Sequence, residues 1–190
     1  MPIHATEEPE YQVVRQLPDI EVRQYATYAA AQVVVPGPAE EAGNQAFPIL
    51  AGYIFGKNKG ERKLAMTAPV TQAAAPVKLE MTAPVTQSVA PGGFVVQFVL
   101  PKGITVANAP EPLDTRIQLL EVVPAKVAVI RYSGFWSESN YDQHFAKLKA
   151  AMRDADLMWT GDPVYARYDA PFMPWFLRRN EIRLHLSQDQ

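Results

Sequence analysis

The chain has 190 residues, 48% of them hydrophobic and 20% charged, with a formal net charge of −2 and no cysteine. That length buries a real core as one ordinary domain or two small fused modules, and the charge offers no basic stripe of the kind that nucleic-acid-binding proteins use. Without a thiol, disulfides, thiolate catalysis and Cys-ligated metals are excluded.

Residues 1–10, MPIHATEEPE, are polar and acidic and read as a flexible arm. They lack the basic start and apolar run of a signal peptide, and no stretch of the chain approaches the roughly 18 apolar residues of a membrane span. The expectation is therefore a soluble, cytoplasmic protein, with an exported mature form as the alternative. YQVVRQL (11–17) and IEVRQYATYAAAQVVV (20–35) are strand-like runs parted by the turn signal Pro18-Asp19, and they end at Pro36-Gly37-Pro38.

From Ala39 the period changes. Phe47, Leu50, Ala51 and Ile54 fall at i, i+3, i+4 and i+7, the apolar stripe of a helix. Pro48 sits inside it and removes one backbone bond, so the helix is expected to kink or to begin late with Asn44 as its N-cap. Gly56 and the KNKG that follows end it.

Next comes a repeat. KLAMTAPVTQ (63–72) returns as KLEMTAPVTQ (78–87), with only Ala65 and Glu80 differing. Leu64 and Met66, like Leu79 and Met81, alternate as in a half-buried strand. Pro69 and Pro84 should make each strand end, bulge or run along an edge. Two compatible readings stand: a duplicated edge strand closing a barrel, and a ligand-lining segment to which Met66 contributes. A Pro91-Gly92-Gly93 turn and the strand FVVQFVL (94–100) follow.

PKGITVANAPEPLD (101–114) is proline-rich and unpatterned, the best candidate for a linker. Beyond it the first half is written again, since Tyr11–Pro18 can be laid on Ile117–Pro124 and a tyrosine, Tyr25 or Tyr132, follows each. The second helix carries the stripe Tyr141, Phe145, Leu148, Met152 and Ala155, with Ser139 and Asp142 as its N-terminal cap pair. The organisation expected is a single domain, 11–190, built of two pseudo-twofold β-α-β-β modules, 11–100 and 115–190. A cleft should follow their seam.

The sharpest oddity is Pro171-Phe-Met-Pro-Trp-Phe-Leu177, followed at once by Arg178 and Arg179. Loops are usually polar, so these apolar side chains either plug a barrel end or wall a ligand site. A flat apolar macrocycle with two carboxylates would want aromatic walls and adjacent guanidinium forks. His4 lies in the arm, His144 borders the second helical stripe, and His185 shares a strand face with Glu181 and Arg183. Each reads as a solvated or structurally satisfied imidazole, with His144 the alternative as a metal ligand. GKNKGER lacks the spacing of a phosphate loop, and no G-x-S-x-G or H-E-x-x-H occurs.

In order along the chain, EYQVVRQLPDIEVRQY, YIFGKN followed by MTAPVT, VQFVLP, VAVIRYSGFWS and YDAPFMPWFLRRNEIRL resemble the SOUL heme-binding protein family. The resemblance covers nearly the whole chain. It implies an α+β fold, a distorted antiparallel β-barrel of about eight or nine strands flanked by two main helices. It also implies a monomer that holds heme or a related tetrapyrrole reversibly and non-covalently, as carrier, buffer or sensor. The groove attributed to the family lies between the first helix and the late loop, which here means Phe47, Leu50 and Ile54 facing Phe172, Met173, Trp175 and Phe176, with Arg178 and Arg179 for the propionates. Some members place a histidine, proposed as axial ligand, where this chain has Gln24, and relatives often carry a lysine at the position of Met173. An amide is a poor iron ligand. The module pair also resembles gyrase-inhibitor-like effector-binding domains, some of which hydrolyse small electrophiles through a sheet-borne carboxylate. Glu181, with Tyr165 and Tyr168 nearby, is the candidate for that role; the alternative is an ion pair with Arg179 or Arg183.

Overall fold

The computed structural model describes residues 8–37, 39–74, 93–169 and 172–187. His4, the second copy of the repeat and the Pro91-Gly92 part of the turn lie outside them.

The chain forms nine strands among the described residues: β1 (Tyr11–Gln16), β2 (Glu21–Tyr25), β3 (Tyr28–Val35), β4 (Val70–Ala74), β5 (Phe94–Val99), β6 (Gln118–Val122), β7 (Ala125–Tyr132), β8 (Trp159–Arg167) and β9 (Asn180–Leu186). They form one antiparallel sheet in the order β1-β2-β7-β9-β8-β4-β5-β3-β6, curled into a half-barrel. Exchanging β2, β3, β4 and β5 for β6, β7, β8 and β9 reverses the list of those eight strands about the β4–β8 pair. The run 20–35 is two strands, because the chain turns at Ala26-Thr27 and sends β2 to β7 and β3 to β6.

Each helix covers one half of the sheet. α1 (Ala39–Ile54) lays Ala42, Ala46, Leu50 and Ile54 on Ala31 and Val33 of β3 and Val96 and Phe98 of β5. α2 (Glu138–Asp154) lays Leu148 and Met152, flanked by Tyr141, Phe145 and Ala155, on Ala128 and Ile130 of β7 and Ile182 and Leu184 of β9. Burying a side chain such as Leu148 is worth about 1.5–3 kcal/mol, so these stripes fix each helix to its half.

Three local expectations are corrected. α1 neither begins late nor starts at Asn44; it runs unbroken from Ala39 through Pro48, and Asn44 lies inside it. It ends as expected at Gly56, φ +111°, where the Gly56 N–H bonds the Tyr53 carbonyl at 3.3 Å and the Lys57 N–H bonds the Gly52 carbonyl at 2.9 Å, the paired closure that a left-handed residue permits. α2 is capped by Ser137, whose hydroxyl accepts the Asn140 N–H at 3.4 Å, and not by Ser139, which lies within the first turn. In the first repeat copy Leu64 to Met66 form no strand; β4 starts after Pro69 and runs between β5 and β8, so it is an interior strand and not an edge. A strand paired on both sides must donate and accept along its length, which forces the proline to precede it.

Candidate functional site

Two short loops carry most of the exposed aromatic surface, and the backbone ties them together. The first, residues 133–137, leaves β7; the second, 172–179, leads into β9 and contains a three-residue 3-10 turn, Trp175–Leu177. Gly134 has φ +119°, and a Cβ there would lie 2.7 Å from Asn140 Nδ2, so only glycine lets Asn140 donate to the Phe135 carbonyl at 2.9 Å. The Gly134 N–H donates to the Trp175 carbonyl at 3.0 Å. Phe135 consequently stacks on Trp175, ring centroids 5.2 Å apart, and Trp175 meets Phe176 edge-on at 5.6 Å. Phe172 is 88% exposed, and Phe135, Trp175, Phe176 and Leu177 are exposed by 48% to 62%. The loop therefore does not plug a barrel end. It presents its rings outward.

Behind this surface stands Trp136, half-buried, whose Nε1 donates to Asn180 Oδ1 at 2.8 Å while Asn180 Nδ2 donates to the Gly134 carbonyl at 3.2 Å. Two guanidiniums lie over its indole, Arg178 at 4.6 Å and Arg167 at 4.7 Å from the ring centroid. Arg178 Nε donates to the Met173 carbonyl at 2.8 Å, which ties the arginine to its own loop. Arg167, the last residue of β8, donates from Nη2 to the Tyr141 hydroxyl at 3.0 Å. It abuts α1 at Gly43, where a Cβ would stand 2.8 Å from Nη1. The late loop and the first helix are thus linked through Arg167 and Trp136.

The expected groove residues divide. Phe47, one helical turn after Gly43, is 46% exposed and meets Phe98 edge-on at 5.5 Å. Leu50 and Ile54 are 0% and 1% exposed and belong to the core under α1, so they support a wall from beneath and have no surface to offer. Met66 packs, half-buried, on the same core, and Met173 is half-buried in its loop. Arg178 belongs to the Trp136 cluster, but Arg179 turns the other way. Its Nη2 and Nε reach Glu181 Oε1 at 2.9 and 3.2 Å, its Nη1 reaches Glu8 at 2.8 Å, and its guanidinium lies 3.8 Å from the Tyr168 ring centroid.

Glu181 is the hub of that second cluster. It is 0% exposed and accepts from Arg23 at 2.9 Å, Arg179 at 2.9 Å, Arg183 at 3.2 Å and the Tyr168 hydroxyl at 2.6 Å. Burial pushes its carboxyl up, but Arg183, Arg23, the Tyr168 hydroxyl and Arg179 outweigh burial and hold it down at about 2. A carboxylate so held neither takes nor gives a proton near neutrality, and each of its oxygens is already bonded. Tyr165 is not among its partners; it packs on Tyr141 at 4.8 Å.

On the concave face of the half-barrel a cavity of about 330 Å³ is lined from both halves, by Tyr25, Tyr28, Gln97, Arg183 and His185 among others. His144 stacks on Tyr132 at 4.2 Å, and its Nδ1 donates to the Asn140 carbonyl at 2.8 Å. Gln24 sits in β2 opposite Lys126. Among the described residues no group of three His, Cys, Asp or Glu side chains is placed to hold a metal ion, and no helix is long and apolar enough to cross a membrane.

Sequence reasoning missed Phe135, Trp136 and Arg167. The first two carried a signal, adjacent aromatics after a glycine in a loop, of the same kind that drew attention to Trp175 and Phe176. Arg167 carried none, because a lone arginine at a strand end reads as solvated.

Known proteins resemble this chain at two levels. In sequence, the chain is 27% identical to heme-binding protein 1 of Mus musculus over 152 residues, covering 80% of this chain and 75% of that one. It is 26% identical to heme-binding protein 1 of Xenopus tropicalis over 163 residues, 85% and 80% of the two chains. In structure, the EcmrR C-terminal domain superposes with a TM-score of 0.59 at 12% identity, covering 93% of this chain and 98% of that one. A hydrolase from Listeria innocua superposes with a TM-score of 0.57 at 13% identity, covering 92% and 94%. At such identities the likeness is one of fold alone. The SOUL heme-binding protein family model matches residues 6–185, and with that match over nearly the full length the chain belongs to the SOUL heme-binding protein family.

Proposed function

We propose that the protein binds heme or a related tetrapyrrole, reversibly and without a covalent bond, on the surface formed by Phe135, Phe172, Trp175 and Phe176, as a carrier or buffer. The observation that carries this reading is the outward-facing aromatic cluster backed by guanidiniums. Exposed apolar clusters on a soluble fold mark a binding surface, and aromatic faces suit a flat macrocycle whose edge holds carboxylates. The names of the similar vertebrate proteins support the same ligand class.

The side chains present fit the porphyrin more clearly than they fit its iron. The outer face of the Phe135–Trp175 stack receives the macrocycle, Phe176, edge-on to Trp175, and Phe172 give flanking edges, and Phe47 gives a wall on the side of α1. Arg178 meets a propionate; Leu50, Ile54 and Met66 hold α1 and the segment before β4 in place from below. His144 is engaged with Tyr132 and a backbone carbonyl, and Gln24 offers only an amide, so among the described residues no imidazole belongs to the set. With no cysteine for a thioether, the ligand is free to leave. Hydrolysis through Glu181 is disfavoured, since that carboxylate is sealed by three arginines.

The test is a titration of the purified protein with hemin, followed by absorbance and tryptophan fluorescence. Micromolar or tighter binding, about −8 kcal/mol or better, with partial quenching from Trp175 and Trp136 is expected. A response no larger than that of an unrelated apolar protein refutes the reading.

A further inference from the structure

Resting on that reading, we propose that Arg167 is an anion-recognition residue of the site, taking one carboxylate of a dicarboxylate tetrapyrrole while Arg178 takes the other. The Arg167 guanidinium is held in place but, among the described residues, is not neutralised. Trp136 lies beneath it at 4.7 Å and the Tyr141 hydroxyl accepts from Nη2 at 3.0 Å, while Nε is buried with no hydrogen-bond partner. No carboxylate forms an ion pair with Arg167 among the described residues. A fixed cation without a paired carboxylate, next to an aromatic surface open to solvent, is arranged to receive an anion.

The helix opposite supports this. Gly43 lies within α1, where glycine is unfavourable relative to alanine. The position is the one at which a Cβ would meet Arg167 Nη1 at 2.8 Å. A helix-weakening residue thus stands where α1 passes the guanidinium, and it leaves the guanidinium its place over Trp136. Because Arg178 lies over the same indole and Phe135 is the residue just before Trp136, a macrocycle resting on the Phe135 and Trp175 stack directs its carboxylate edge toward both arginines. Such a pair reads the number of carboxylates on the ligand, which the aromatic face alone does not.

Hemin and its dimethyl ester, titrated into wild-type protein, Arg167→Met and Gly43→Ala, test the proposal. Arg167→Met is expected to lose about tenfold or more in hemin affinity while losing little for the ester. Gly43→Ala keeps the arginine, raises helix propensity and pushes the guanidinium aside. Its hemin-to-ester affinity ratio should fall in the same direction by a smaller factor, with a melting temperature unchanged or higher. If Arg167→Met does not fold, Gly43→Ala alone decides. An unchanged ratio, whether both affinities fall together or neither falls, overturns the proposal and makes Arg167 a brace between β8 and α2. Wild-type protein that binds hemin no better than an unrelated apolar protein overturns the ligand reading, and this proposal with it.

Discussion

Two arginine clusters stand on this fold, both over aromatic rings, and they are built to opposite ends. Around Glu181, Arg23, Arg179 and Arg183 share one buried carboxylate, Glu8 and Glu21 supply further charge at 2.8 Å each, and Tyr168 and Tyr25 supply the rings. Around Trp136, Arg167 and Arg178 share one indole, and Arg167 has no carboxylate partner among the described residues. The first cluster joins β2, β9 and the segment before β1, and its charges balance. The second sits beneath rings open to solvent. Guanidinium count therefore says little about function; the first cluster brings its own counter-charge, and under the proposal above Arg167 in the second would take its counter-charge from a ligand.

The largest effect expected from breaking this contrast is at Glu181. Glu181→Gln leaves Arg23 and Arg183 buried without their shared counter-charge, and should cost about 3–5 kcal/mol in chemical denaturation. The same carboxylate gives a pH signature. Its folded pKa, about 2, lies below the ordinary 4.5, so the stability it contributes is complete above that ordinary value and drains away as pH falls toward 2. Glu181→Gln should be less stable than wild type at neutral pH and should lose that acid sensitivity; a variant with unchanged denaturation and unchanged acid limb contradicts the strut.

Replacing Phe172 and Trp175 together by alanine comes next. Both side chains are exposed, so stability should change by no more than about 1 kcal/mol, while hemin binding falls to the level of an unrelated protein. Unfolding of this variant would show that the loop is a plug after all. Arg178→Ala and Arg179→Ala then separate the clusters directly. A charge-assisted hydrogen bond is worth about 1.5–3 kcal/mol, a ten- to hundredfold change in affinity. Arg178→Ala should lose that much for hemin and little for the dimethyl ester, whereas Arg179→Ala should lower stability and affect both ligands alike. Propionate-selective loss at Arg179 would mean that its pairing with Glu181 breaks when ligand arrives. Smallest of all is His144→Ala, expected to leave hemin affinity within about a few fold, since this ring stacks on Tyr132 and donates to a backbone carbonyl. A collapse in affinity with loss of a low-spin spectrum would make it an axial ligand.

The parts of the molecule that follow from local pattern were legible in the sequence. Apolar strand-like runs marked β3 and β5, alternation marked β9, and the stripes of Leu50 and Leu148 marked both helices and the faces they bury. What was not legible depended on long-range pairing. Leu64 and Met66 alternate like a strand, yet β4 begins only after Pro69 because both its edges are paired. Leu50 and Ile54 share a stripe with Phe47, and stripe alone does not tell which member faces the core and which the rim. Arg178 and Arg179 are neighbours in sequence, but opposite backbone directions in an extended segment send one to Trp136 and the other to Glu181. Arg167 became visible only when Gly43, Trp136 and Tyr141, from three separate elements, were seen around it.

The most direct test of the contrast between the two clusters is an amide NMR map of the protein on adding hemin, whose iron broadens nearby resonances. Broadening centred on residues 133–137 and 172–178, and extending to α1 around Gly43 and Phe47, is the predicted result. Broadening centred instead on the concave cavity, at Tyr25, Tyr28, Arg183 and His185, would place the ligand against the balanced cluster and contradict the account.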